Sequence, residues 1–337
     1  MLPSASLPMP ATWRDLLDEL GPAFSRRSTH RLFVALACGM ILADRSTVVA
    51  MAAAAGIAGK WRRACWFLAG AVWDIDALGL AVARLIVKHL LNEGEAIVVA
   101  ADGTFFKRWG RKVAQARWAY DGSAQGGKKI AFGNTWVIAA IVCRLPFCSS
   151  PVALPVLFRL WRGKGTASQV ELAAEMVTLL AAAFPGRIVL VRDPGSARAY
   201  DLGLFTLDTD AGPAATAERY SWRWPIEASN AAGKQILGVG DACNRTEKAV
   251  ERTVPFGFLI QALLILWYAR CAYDPADIDR RRRLCPWYRT KTGPSVADML
   301  GKLRREFLKA RFSAIQPGQT HLDQIDGYAW TCDGTAA

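Results

Sequence analysis

Tyr220, Arg223, Glu227 and Lys234 form a Tyr-x2-Arg-x3-Glu-x6-Lys run. On a helix, gaps of three, four and seven residues return to one face, so an aromatic ring, two cations and a carboxylate can line one groove. Phosphodiester chemistry uses this set of groups. The acid holds a divalent metal, the cations hold phosphate oxygens, and the aromatic stacks on or bonds to a strand end. The spacing also has a plain reading, because Arg223 and Glu227 are an ordinary i,i+4 pair contributing about 0.3–0.5 kcal/mol on a solvated face. Pro225 lies between them. Lacking an N–H and crowding the preceding turn, it either kinks the helix or restarts it as a first residue.

A second acid stands at Asp102. It follows Glu95–Ala101 (EAIVVAA), an apolar run with β-branched residues at its centre that reads as a buried strand ending at Asp102-Gly103. An acid at the C-terminal end of such a strand emerges from the core onto a site. Its plain reading is a turn aspartate before glycine.

The elements around these residues follow from period and punctuation. Residues 11–92 are expected to be helical, with three- and four-residue apolar spacing in Arg31–Leu42 and Ala77–Leu91. Ser46–Ala55, Gly56 and Ala58–Leu68 read as helix, turn, helix, either a DNA-reading pair or a plain helical pair. Lys112–Tyr120 and Asn134–Cys143 read as strands, Thr166–Phe184 as an alanine-rich helix, and Ile188–Arg192 and Leu202–Leu207 as further strands. Pro213–Ile236 and Arg245–Arg270 read as helices, which completes an α/β order. The stretch 280–312 is basic, with Trp287 and Tyr288 interleaved, and Val296–Arg311 is expected to present a phosphate-contacting helix.

Composition narrows the class. Hydrophobic residues make up 52% and charged residues 21%, which is globular. Forty-two basic against 29 acidic residues leave +13, which favours a polyanionic partner. The eight cysteines include no Cys-x2-Cys pair and the three histidines lie at no ligand spacing from them, so reduced thiols and no zinc site are expected. Pro3, Pro8 and Pro10 followed by Asp15, Asp18 and Glu19 do not resemble a signal sequence. The apolar stretches Arg31–Leu42 and Val254–Ala269 fall short of the ~20 residues a span needs, so no membrane partner is expected.

Several segments together resemble a known family. These are Ala101-Asp102-Gly103-Thr104-Phe105-Phe106, Tyr120-Asp121-Gly122-Ser123, Gly133-Asn134-Thr135-Trp136-Val137, Ala153-Leu154-Pro155-Val156, Arg223-Trp224-Pro225-Ile226-Glu227, Leu237-Gly238-Val239-Gly240 and Ala249-Val250-Glu251-Arg252. The chain resembles insertion-sequence transposases of the Asp-Asp-Glu superfamily, in the branch named for its Tyr, Arg, Glu and Lys. The resemblance implies an α/β, ribonuclease H-like mixed sheet flanked by helices. It implies Asp102 and Glu227 as first and third catalytic carboxylates and metal ligands, Mg²⁺ or Mn²⁺ as cofactor, and Tyr220, Arg223 and Lys234 as DNA contacts. The expected partners are DNA ends and target, with self-association possible, in the bacterial cytoplasm on the nucleoid. The expected organisation is an N-terminal helical domain over 11–92 that is a candidate DNA binder, a shortened catalytic core over 93–275, a basic helical segment over 276–316 and a disordered tail over 317–337.

The sequence departs from the family at the second carboxylate. Phe184-Pro185-Gly186-Arg187 runs directly into Ile188-Val189-Leu190-Val191-Arg192-Asp193-Pro194, where the family carries an acid-ended strand and a β insertion. An internal deletion joined near Gly186–Ile188 accounts for this. Asp193 is the doubtful substitute, with a plain reading as a solvent-facing residue before the Pro194-Gly195 turn. A second departure is Asn230, where the family usually carries a buried aromatic. The expectation is a transposase-like chain impaired in metal-dependent cleavage and strand transfer. The alternative is a non-catalytic DNA-binding relic or transposition inhibitor.

Overall fold

The computed structural model describes residues 8–122, 124, 129–190 and 224–315. Asp193, Tyr220, Arg223, the strand expected at 202–207, the first part of the helix expected at 213–236 and the tail at 317–337 lie outside the described residues.

One mixed sheet organises the chain. Strands β1 (Ile97–Lys107), β2 (Arg117–Tyr120) and β4 (Val152–Trp161) all run antiparallel to β3 (Ile130–Cys143). The remaining strand, β5 (Ile188–Leu190), pairs with β1 in parallel. β2 takes the first part of β3 and β4 the rest, so the two share one side of it, with β1 on the other.

Two expectations change here. β1 does not end at Asp102. Its ladder with β3 continues from Asp102↔Ile138 to Lys107↔Gly133, so available partners override the local turn preference of Asp-Gly. β4 was not expected, and Pro155 lies within it. The ladder shifts register between Ala139 and Ala140 where Pro155 pairs, on a strand with one described partner, which is where a sheet tolerates proline.

Side chains alternate along a strand, so Asp102 shares a face of β1 with Val98, Ala100 and Phe106. The opposite face receives α6 (Gln169–Ala183), whose first turn is closed by a capping box between Ser168 and Glu171. The Asp102 face receives α7 (Trp224–Gln235) and α8 (Glu247–Trp267). Ile226 of α7 packs with Val98, Ala100, Ala140, Val142 and Ala153, while Phe258 of α8 meets the rings of Phe106 and Phe158.

Helix α8 is long and apolar enough to cross a membrane, yet it is buried within the protein along most of its length. Around it pack α1 (Ala11–Asp18), α2 (Arg27–Leu42), α4 (Trp61–Ala69) and α5 (Ile75–Leu90). Trp13 meets Trp267 edge-on, and Phe33 and Phe67 both meet Phe256. Burial also explains how Pro255 sits inside the helix, since packing on every side outweighs one missing backbone bond. Arg252, itself buried, donates to the carbonyls of Leu68, Ala71 and Trp73 and lies 4.7 Å over the Trp73 ring.

The basic C-terminal segment forms α9 (Ala276–Leu284) and α10 (Val296–Ile315). Its cations face inward more than expected. Arg304 donates to the carbonyls of Ile41 and Ala43 at the end of α2, and Arg311 to that of Ala54. Lys302 and Arg305 pair with the buried Asp277. These four side chains close helix ends and a buried acid, so the density of charge in this stretch overstates the surface it offers to phosphate.

Arg252→Met keeps the packing stem and removes three charged donors from buried carbonyls. It is expected to lower unfolding stability by on the order of 2–3 kcal/mol, read as a shift of the urea midpoint at unchanged slope.

Candidate functional site

The seating of α7 on β1 builds the site. Gln261 of α8, fully buried, donates from Nε2 to the Ser229 carbonyl at 3.0 Å and to its hydroxyl at 2.8 Å. Gly233 permits the contact: a β-carbon there would fall 2.4 Å from the Phe258 ring and 2.7 Å from Gln261 Oε1. Helix α7 is therefore clamped at a close approach that a larger residue would prevent. The described part of the helix runs Trp224–Gln235 and includes Pro225.

Three contacts set its direction. Ile226 lies over Val98 and Ala100, Asn230 over Asp102, and Lys234 over Phe105 and Phe106. The helix thus runs alongside β1 in the same sense. Glu227, Asn230 and Lys234 fall within about 60° of one flank, and Glu227 stands one turn before Asn230, about 4.5 Å along the axis. Both Asp102 and Glu227 are half-buried. The Glu-x6-Lys part of the signature therefore does share one helix flank, and Asp102 faces that helix.

Asn230 stands where the resemblance leads one to expect a buried aromatic. It is buried, and its Nδ2 donates to Asp102 Oδ2 at 3.3 Å. Its Oδ1 has no hydrogen-bond partner among the described residues. Asn230 is thus a polar link between helix and strand. Lys234, expected as a DNA contact, folds back onto β1. Its Nζ donates to the Phe105 carbonyl at 2.9 Å and sits 4.8 Å from the Phe106 ring centre. Burial pushes its pKa below the ordinary lysine range, opposed by the nearby Asp121 and Asp102 carboxylates.

Asp121 is the residue whose weight the sequence did not show. It is buried and ion-paired with Lys107 at 3.0 Å, and its charge reaches Lys234. The signal was present as an acid inside Tyr120-Asp121-Gly122-Ser123, but nothing local said that it would come within electrostatic reach of Lys234. Acids and cations therefore alternate across this region: Asp102, Lys234, Asp121, Lys107.

The described residues contain no group of three His, Cys, Asp or Glu side chains placed to hold a metal. Asp193, Tyr220 and Arg223 lie outside those residues, a run of which stops at Leu190, three positions before Asp193 in the sequence. The seven described cysteines are free thiols, and burial pushes those of Cys38 and Cys143 up to about 12. A cleft of about 520 Å³ opens elsewhere, beside β4, and two of its arginines are already matched by acids. Arg159 pairs with Asp76 and Glu175, and Arg162 with Glu247 and Glu251.

Because its pKa is lowered on folding, Lys234 binds fewer protons in the folded chain than in the unfolded one between the lowered value and the ordinary lysine range. Stability should rise with pH across that window. Relative to Lys234→Met, wild-type urea midpoints are expected to climb as the pH rises toward the ordinary lysine value of about 10.4. Parallel curves for the two proteins would contradict a buried, charged Lys234.

Residues 19–195, more than half of the chain, match the family described as DDE superfamily endonuclease. The matched span includes Asp102, Asp121 and the whole described sheet, and stops before α7. No curated protein matches the chain.

Proposed function

The chain belongs to the DDE superfamily endonucleases, and on that premise we propose that it is a DNA transposase-type protein with a ribonuclease H-like core. Its ancestral reaction is metal-dependent phosphodiester cleavage and strand transfer at insertion-sequence ends, carried out on the bacterial nucleoid. The observation that carries this reading is the apposition of α7 to β1, which brings the flank holding Glu227 and Lys234 against the strand holding Asp102. An antiparallel run of strands with a parallel strand beside β1 supports the fold assignment.

The donor chemistry suits the metal this family uses. Carboxylate oxygens are what Mg²⁺ and Mn²⁺ prefer, and Mg²⁺ commonly takes one or two carboxylates together with waters and substrate phosphate. Asp102 and Glu227 would hold the ion, whose chemistry when bound is to polarise a phosphoryl oxygen and lower the pKa of water. The chain's own groups do the rest. Asn230 orients the Asp102 carboxylate, Lys234 sets a positive charge beside it from a fixed anchor on β1, and the nearby Asp121 carboxylate favours that charge. Asp193 is the candidate second acid, on its sequence position just after the strand paired with β1.

A second reading, a DNA-binding relic that no longer cuts, is favoured by one observation: the Asn230 amide already donates to the Asp102 oxygen a metal would share. For such a protein α4 offers a surface, with Trp61, Arg62, Arg63 and Trp66 exposed. A junction near Gly186–Ile188 that removed the family's second acid is part of the same reading.

Nicking of an end-containing duplex in Mg²⁺ or Mn²⁺ decides between the two. The endonuclease reading expects wild-type nicking that falls to background in Asp102→Asn and in Glu227→Gln. Loss in Asp193→Asn would make Asp193 the second acid, and full activity there would remove it. A wild type that shifts DNA without metal and nicks nothing under any condition establishes the relic.

A further inference from the structure

We propose that the β2–β3 hairpin carries a stacking platform for unpaired nucleotides, on the same sheet face as Asp102. The proposal rests on the endonuclease reading for its ligand, DNA, and adds where and in what form a strand is held.

Trp118 pairs with Phe132 and Tyr120 with Ile130, and residues paired across an antiparallel ladder share a face. Alternation along β3 then carries that face from Ile130 and Phe132 through Asn134 and Trp136 to Ile138, the partner of Asp102. The stripe and the carboxylate therefore lie on one side of the sheet, at different positions along it. Unlike the buried centre of that face, the stripe is open: Trp118 is 72% exposed, Tyr120 65% and Ile130 65%. Trp118 is braced edge-on by Phe132, with ring centres 5.8 Å apart.

Its surroundings are cationic. Lys107, Arg111, Lys112 and Lys129 are exposed near it in the chain, and the one acid between residues 103 and 133 is Asp121, buried against Lys107. Aromatic faces ringed by cations suit a nucleic-acid strand whose bases are free to stack. A closed duplex shows only base edges in its grooves and would leave the rings unused. A second copy of the chain would bring like charge against like along a four-residue edge strand. The occupant we assign is an unpaired stretch of DNA, such as opens beside a cleavage site.

The test uses the full chain without divalent metal, and labelled DNA as a blunt duplex and as the same duplex with a single-stranded tail. Wild type is expected to bind the tailed form more tightly. In Trp118→Ala/Tyr120→Ala that gain should fall by roughly 5- to 150-fold per stacked base, with blunt-duplex binding little changed. Trp118→Phe/Tyr120→Phe should restore it. An alanine variant that keeps the gain overturns the platform, as does one that loses blunt and tailed binding equally. A wild-type dimer that becomes monomeric in the alanine variant with the gain intact assigns the stripe to self-association instead. Nicking by wild type and Asp102→Asn, run alongside, separates the two readings. Absent nicking with a platform-dependent gain defeats the catalytic reading alone, and Asp102-dependent nicking with the gain intact defeats the platform alone.

Discussion

Burial of α8 is the constraint on which the rest of the structure depends. Its side chains meet the N-terminal helices, the sheet and α7, so helical and sheet portions share one continuous hydrophobic cluster. The site inherits its geometry from this helix. Gln261 and Phe258 fix α7 through Ser229 and Gly233, and α7 in turn carries Glu227, Asn230 and Lys234 to β1. A displacement of α8 would move the acid-bearing helix relative to the acid-bearing strand without touching either acid.

Charge is arranged around the site in the same interlocked way. Lys234 leaves water to reach the Phe105 carbonyl, and its charged form is disfavoured by burial and favoured by Asp121 and Asp102. Asp121 is buried in turn against Lys107. Isolated buried charges cost far more than paired ones, so each of these groups is placed by the next. Elsewhere the same economy takes cations away from the surface. Arg304 and Arg311 end helices, Lys302 and Arg305 neutralise Asp277, and Arg252 ties a loop to α8. The 42 basic residues therefore overstate the cations a polyanion could meet.

Much of the chain was legible because its signals are local. The helices at Arg27–Leu42, Ile75–Leu90 and Gln169–Ala183 follow from apolar spacing and, for the last two, from Asp74 and Ser168 caps. β3 follows from a continuous apolar run. Asp102-Gly103 looks like a break to a reader of neighbours, but a ladder partner in β3 carries the strand through it, as it carries β4 through Pro155. At the site, Asp102, Glu227 and Lys234 were legible as residue types at suggestive spacing. Asn230 as a link and Asp121 as a neighbour were not, since each matters only through a partner about a hundred residues away or more in sequence.

By itself the sequence determined the chemistry on offer and the periodicity of the elements: carboxylates and cations at helix spacing, apolar runs with their caps, and a basic excess. Those depend on residue type and on contacts within a turn or two of backbone. Only the tertiary structure decided which acids become neighbours, which cations remain free to meet phosphate, and that the exposed aromatic stripe shares a face with Asp102. Register, burial and charge pairing are properties of surfaces brought together from distant parts of the chain, and a one-dimensional pattern cannot rank the pairings it leaves possible.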